Sequence, residues 1–226
     1  HSHTCVTRLE RSGSQFLVET ARDSLRAGSV LVGTSGYTGK VTKKLQKRVI
    51  PIGSFIITTE TLPDDLAREL IPNGRMIFDY KHYLNYFRLW ENRLIFGGRA
   101  AFFPGTPHTV RRSAEILRQE MVRVYPQLRD VRVEYAWGGT LDFAFDRMTH
   151  VGEMDGIYYS LGYAGHGVAM ATYLGKTVAE AMLQGTITEH PFNRFPFPSA
   201  PLDLYNGTAW FLPLAGAWHK LLDWVE

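Results

Sequence analysis

Two glycine-rich segments hold the residues whose types and spacing could do chemistry. One is Gly162-Tyr163-Ala164-Gly165-His166-Gly167-Val168, which follows the apolar run Ile157-Tyr158-Tyr159-Ser160-Leu161 and precedes a long stretch rich in small residues. Missing β-carbons let a ligand or a second backbone come close. A helix starting at the last glycines would aim free N–H groups and a positive dipole end at a negative partner. The order is G-x-x-G-x-G, and the dinucleotide fingerprint G-x-G-x-x-G occurs nowhere in the chain. An anion or cofactor site and plain close packing of a helix are both open on these residues.

The other segment runs from Gly33 to Lys40 and has the outline of a phosphate loop. Five residues separate Gly33 from Gly39 where a Walker loop has four, and Val41 stands where a magnesium-binding Ser or Thr is required. What remains is a turn leaving a strand, whose exposed backbone could still approach a cofactor. A serine-hydrolase elbow is missed by one position at Gly33-Thr34-Ser35-Gly36, so covalent acyl chemistry has no support. His1, His3 and Cys5 form an H-x-H-x-C cluster, but the sequence has neither HExxH nor CxxC, and no metal site is expected. The basic stretch at 40–48, with five cations in nine residues, is either a solvated face or a steering patch for an anionic substrate.

The elements that must position these segments are mostly strands. Runs at 5–10, 15–20 and 29–32 predict a small β-meander leading into the Gly33 loop. Further strands are expected at 50–58, 76–80, 83–90, 93–96, 131–136, 141–145 and 157–161, with a tight Glu91-Asn92 turn. Residues 63–70 fit a short helix with acids in its first turn. A second helix is expected from about Ser113, carrying Leu117, Met121 and Val124, and ending before Pro126. The most regular helix spans 166–184, with Gly167, Ala171, Leu174, Val178 and Met182 on one stripe and Gly185 as its stop. Residues 191–201 form a Pro/Phe-rich connector, and 210–218 are aromatic and apolar. The class is α+β, a mostly antiparallel sheet beside a smaller α/β portion.

Composition narrows the field further. The chain has 226 residues, 45% of them hydrophobic, enough for a substantial core and about one and a half typical domains. The 25 Lys+Arg against 22 Asp+Glu leave a charge of +3 spread along the chain, which does not point to nucleic acid. No apolar run reaches the roughly 18 residues of a membrane span. The single cysteine excludes an intrachain disulfide framework and fits a reducing, cytoplasmic compartment. The first residue is His, so the reading expects the chain to begin inside a longer gene product.

Taken together, the 162–168 segment, the Gly33 to Gly39 loop, Pro51-Ile52-Gly53-Ser54, Gly97-Gly98-Arg99 and Trp137-Gly138-Gly139 resemble, in the same order, the D-amino-acid-oxidase-like flavoproteins. The branch most similar is that of γ-glutamylputrescine oxidoreductase-like enzymes, related to glycine and sarcosine oxidases. The similarity runs from about residue 4 to about residue 190. The resemblance implies that the chain corresponds to the C-terminal portion of that family, and that the N-terminal βαβ unit holding the FAD pyrophosphate falls outside it.

The resemblance implies part of an FAD-binding domain at 1–48, a substrate domain at 49–148 whose sheet roofs the flavin, a return to the FAD domain at 149–190, and a tail at 191–226. It implies FAD as cofactor, with Thr34, Gly36 and Tyr37 near the flavin and the Val6 backbone near the adenine. Gly162, Tyr163, Gly165, His166, Gly167 and Val168 would open the helix aimed at the flavin N1/C2 edge. Tyr80, Arg88, Arg99 and Trp137 are the candidates for the substrate pocket. No catalytic acid–base residue is assigned. The implied reaction takes a hydride from the carbon of an amine or amino acid to the flavin, giving an imine and, with oxygen, hydrogen peroxide. The alternative is a non-catalytic binding or assembly module, or one half of a split flavoenzyme completed by the missing N-terminal portion as a separate segment.

Overall fold

The computed structural model describes residues 1–81, 84–98, 106–185, 187, 190–200, 204–214, 216 and 218. In chain order the elements are β1 (Val6–Ser12), β2 (Gln15–Thr20), β3 (Ser24–Ala27), β4 (Leu31–Val32), α1 (Lys43–Gln46), β5 (Val49–Thr59), α2 (Asp64–Leu70), β6 (Ile77–Phe78), β7 (Asn85–Trp90), β8 (Arg93–Gly98), α3 (Pro107–Val124), β9 (Val133–Ala144), β10 (His150–Met154), β11 (Ile157–Leu161) and α4 (Gly167–Gln184). They form two compact units, His1–Ile50 with Leu141–Ala209, and Pro51–Thr140 with Trp210–Glu226.

The first unit holds two three-stranded sheets, ordered β1-β2-β3 and β10-β11-β4. The meander exists, but its third strand is Ser24–Ala27 rather than 29–32. Only Leu31 and Val32 of that expected strand are extended, and they pair parallel to β11, Leu31 opposite Tyr158 and Val32 opposite Tyr159. A strand at 150–154 was not expected. Its signal is present in Asp155-Gly156, whose φ values of 55° and 81° suit the primed two-residue hairpin turn. Helix α4 covers this sheet with Leu174, Val178 and Ala181 buried against Val151, Tyr158 and Tyr163. Leu174 and Val178 of the expected stripe are therefore inside, but Ala171 is exposed and Ala181 takes the inner place. Gly185 ends the helix at φ 74°, the left-handed conformation that favours glycine. A second cluster joins Val32, Leu45, Val49, Ala144, Tyr159, Leu161 and Phe197.

The second unit is a five-stranded sheet ordered β6-β7-β8-β5-β9. Phe55, Ile57, Phe87, Leu94 and Phe96 alternate toward Leu117 and Met121 of α3 and Ala67 and Leu70 of α2, closing one core. The Glu91-Asn92 turn joins β7 to β8 as expected, with φ values of 46° and 55°. Helix α3 begins six residues before Ser113. Thr106 accepts the Thr109 N–H at 3.2 Å, and Pro107 fills the first helical position, where a missing N–H costs nothing. β6 is shorter than expected, two residues instead of 76–80. The expected strands at 131–136 and 141–145 are instead one, Val133–Ala144, because Gly138 is not a turn residue. An added β-carbon there would stand 2.6 Å from the Phe55 ring, so glycine lets the strand pass that side chain.

Candidate functional site

The parallel pairing of β4 with β11 sends both glycine-rich loops off the same end of one sheet. β4 runs into residues 33–39 and β11 into residues 162–166. Such carboxyl ends of parallel strands are where α/β sheets bind ligands.

The first loop is a turn of 3₁₀ helix, Ser35–Tyr37, closed by its own hydroxyls. Thr34 and Thr38 share a 2.8 Å hydrogen bond between Oγ1 atoms, and the Thr38 hydroxyl donates to the Ser35 carbonyl at 2.7 Å. Ser35 holds φ at 48°, a region a non-glycine residue seldom adopts. Tyr37 projects outward, 70% exposed. Gly36 lies between them, and Val6 opens β1 where the pairing with β2 is irregular.

The second loop bends through three left-handed residues, Gly162 at φ 83°, Ala164 at 52° and Gly165 at 96°. Gly162 is required by the protein itself, because an added β-carbon would stand 2.8 Å from the Met148 carbonyl oxygen. Tyr163 is buried and its hydroxyl donates inward to the Ser160 carbonyl at 3.0 Å, so it braces the loop; burial raises its pKa. His166 stands at the N-cap of α4 with no side-chain capping bond, and the first turn of the helix carries no acid. Val168 is 94% exposed. The start of α4 is therefore an open, positively polarised end flanked by apolar surface.

Asp142 joins the two loops, and the sequence reading did not single it out. It lies in β9, 1% exposed. Its Oδ2 accepts the Gly162 N–H at 2.5 Å, and its Oδ1 accepts the Tyr163 N–H at 3.2 Å and the Ser35 hydroxyl at 2.8 Å. Its own carbonyl takes the Ala164 N–H at 2.9 Å. The available signal was a carboxylate at an inward position of an alternating strand, two residues from buried Ala144.

In the second unit the substrate candidates are dispersed. Tyr80, 90% exposed, follows β6 at one edge of the sheet, and Trp137 lies in β9 at the other. Four strand spacings separate those edges, about 19 Å. Arg88 in β7 is exposed and lies over the Trp90 ring at 5.6 Å. Arg99 falls outside the described residues. The Gly97-Gly98 motif answers to packing. A β-carbon on Gly97 would overlap the Tyr86 ring, and one on Gly98 would stand 2.9 Å from Asn85 Oδ1.

Residues 1–181 match the family model described as FAD dependent oxidoreductase. The chain belongs to that family. It is 35% identical over 202 residues to the γ-glutamylputrescine oxidoreductase of Escherichia coli (strain K12), covering 86% of this chain and 46% of that protein. It is 33% identical over 225 residues to the probable oxidoreductase OrdL of Rhizobium meliloti (strain 1021), covering 97% of this chain and 50% of the other. The chain thus spans about half the length of these curated relatives. The crystal structure of glycine oxidase from Geobacillus kaustophilus superposes with a TM-score of 0.65 at 15% identity, over 89% of this chain and 53% of that one, a likeness of fold. FAD is the cofactor of that family.

The residues at the two loops fit such a group. A β-carbon on Gly33 would meet no protein atom within 4 Å, one on Gly165 would meet only Leu141 Cδ1 at 4.0 Å, and one on Gly167 only Tyr163 at 3.7 Å and beyond. The protein does not crowd these glycines, unlike Gly97 or Gly162, so a group approaching the two loops would meet no steric bar there. Among the described residues no helix is long and apolar enough to cross a membrane.

Proposed function

We propose that this chain forms the flavin-facing loops and the substrate sheet of an FAD-dependent oxidoreductase acting on the C–N bond of an amine or amino acid. Residues 1–48 and 149–190, with the Asp142 end of β9, serve the cofactor, and the rest of residues 49–148 the substrate. One observation supports this most: two glycine-rich loops leave the same sheet end, tied through Asp142, beside an uncapped helix start. When bound, FAD would supply acceptance of the hydride from the carbon bearing the amine nitrogen, leaving an imine, with oxygen as the final oxidant and hydrogen peroxide as product.

The chain's own residues position and polarise. The N–H groups opening α4 offer fixed donors and a positive dipole end to developing negative charge, and such donors need no reorganisation during reaction. The Thr34, Ser35 and Thr38 hydroxyls fix the other loop. In the second unit, Arg88 and the exposed aromatic side chains Trp90 and Trp137 offer cationic and π surfaces to a polar substrate.

The test is reconstitution with FAD followed by dialysis. Retained visible flavin absorbance and peroxide release from one member of a panel of polyamine derivatives, glycine-like amino acids and N-methyl amino acids support the proposal. A protein that binds FAD but oxidises none of them sinks the substrate class. A protein that retains no flavin sinks the cofactor assignment for this chain.

A further inference from the structure

The geometry points to Asp142 as a positioning residue that couples the two loops, so that neither is ordered without the other. Three donors from two distant segments converge on one buried carboxylate: the Ser35 hydroxyl from the loop after β4, and the Gly162 and Tyr163 N–H groups from the loop after β11. The carboxylate accepts all three, and Asp142 is 1% exposed, so water does not offer an equivalent alternative. Each loop is also strained without it. Ser35 stands at φ 48° and Ala164 at 52°, conformations that persist only where surrounding bonds fix them.

Further buried polar contacts brace the same corner. The Thr149 hydroxyl donates to the Gly162 carbonyl at 3.3 Å, and His150 Nε2 lies 3.0 Å from Asp146 in the turn after β9. None of these reaches the Ser35 loop. Among the described contacts Asp142 connects the loops, and it acts at one remove, through the backbone it holds. Its relevance to the cofactor rests on the functional reading above.

An amide cannot replace it. Asp142→Asn must turn its NH₂ toward either the Gly162 N–H or the Tyr163 N–H, setting donor against donor. The test compares wild type with Asp142→Asn and Asp142→Glu by amide hydrogen exchange, under conditions where all three are folded, and by FAD titration with the circular dichroism of the bound flavin. The expected result is exchange about tenfold faster or more at both 34–38 and 162–166 in Asp142→Asn, with the β1–β3 amides unchanged. FAD should bind about tenfold more weakly with an altered flavin signal, and Asp142→Glu should restore part of it. Faster exchange in only one loop, or uniformly across the first unit, overturns the coupling. If Asp142→Asn cannot be folded, Ser35→Ala serves, and it must raise exchange at Gly162 and Tyr163 as well as at 34–38. A wild-type protein that takes up no flavin overturns the functional reading, while the exchange pattern still decides the coupling.

Discussion

Gly97 lies beneath the ring of Tyr86, directly opposite it in the β7–β8 pairing, and the Tyr86 hydroxyl is 3.0 Å from Ser54 Oγ. Of the glycine pair in the Gly97-Gly98-Arg99 motif, Gly97 is thus filled by the protein's own aromatic side chain and Gly98 by Asn85 and Leu117. Gly33 is the opposite case, with nothing within 4 Å of an added β-carbon. These two positions contrast a glycine closed in by packing with one left open.

Gly97→Ala should therefore destabilise the protein by about 1–3 kcal/mol, the usual cost of overpacking a closed site. Gly33→Ala should leave stability within about 0.5 kcal/mol. If the proposed cofactor site is right, the same Gly33→Ala change weakens FAD binding about tenfold, near 1.4 kcal/mol. Denaturant unfolding beside flavin titration reads both, and the reverse pattern would assign Gly33 to packing.

Ser35 gives a second test, because its hydrogen bond and its backbone strain oppose each other. Ser35→Ala keeps φ at 48° and loses the bond to Asp142, so it should cost about 1.5–3 kcal/mol. Ser35→Gly loses the same bond but relieves the left-handed backbone, and should recover about 1 kcal/mol of that loss. Equal stabilities for the two variants would show that the strain carries no weight.

Much of this arrangement was legible in the chain, and the exceptions share a cause. Helix α4, its stop at Gly185 and the strand before Gly162 follow from local periodicity and from residues that permit one backbone conformation. The family resemblance rested on five short motifs in order, also local in sequence. Asp142 was missed because its meaning lies in Ser35, 107 positions away, and in backbone N–H groups that carry no residue signature. The continuity of β9 through Gly138 was not seen because the ring that this glycine accommodates, Phe55, belongs to another strand. Strand β10 was legible and overlooked, since Asp155-Gly156 between short apolar runs is the strongest short hairpin signal. The four residues Tyr80, Arg88, Arg99 and Trp137 were grouped through the family resemblance and side-chain type, and sheet order sets Tyr80 and Trp137 at opposite edges.

Alkaline pH offers a test independent of the cofactor. Burial pushes the Tyr205 hydroxyl up to about 12, and it donates to the Val49 carbonyl at 2.9 Å. Burial also raises Tyr125, Tyr159 and Tyr163. A raised folded-state pKa means that the unfolded chain releases the proton first. The stability contributed is fully present below about pH 10 and is lost as pH rises toward 12. For Tyr205 the unfolding free energy should fall across that window by up to about 1.4 kcal/mol per pH unit, and the other three tyrosines act in the same direction. Tyr205→Phe should be less stable at neutral pH, through the lost hydrogen bond, and show a shallower alkaline slope. An unchanged slope would place the pH dependence elsewhere.

The start of α4 sets stability against function. His166 occupies the N-cap without a capping bond, and no acid stands in the first turn. An aspartate at the N-cap would accept one of the free N–H groups and complement the dipole, so His166→Asp should stabilise the unliganded protein by about 1 kcal/mol. The same carboxylate would occupy the donors that the proposed site offers to the flavin and place negative charge against developing negative charge. FAD affinity should then fall about tenfold or more, and the flavin should become harder to reduce. His166→Asn separates the two effects, since it caps without charge: it should share the gain in stability and lose less affinity. Thermal unfolding without FAD, followed by titration and reductive titration with it, measures each part. A variant that gains stability and binds FAD as tightly as wild type would move the cofactor away from this helix.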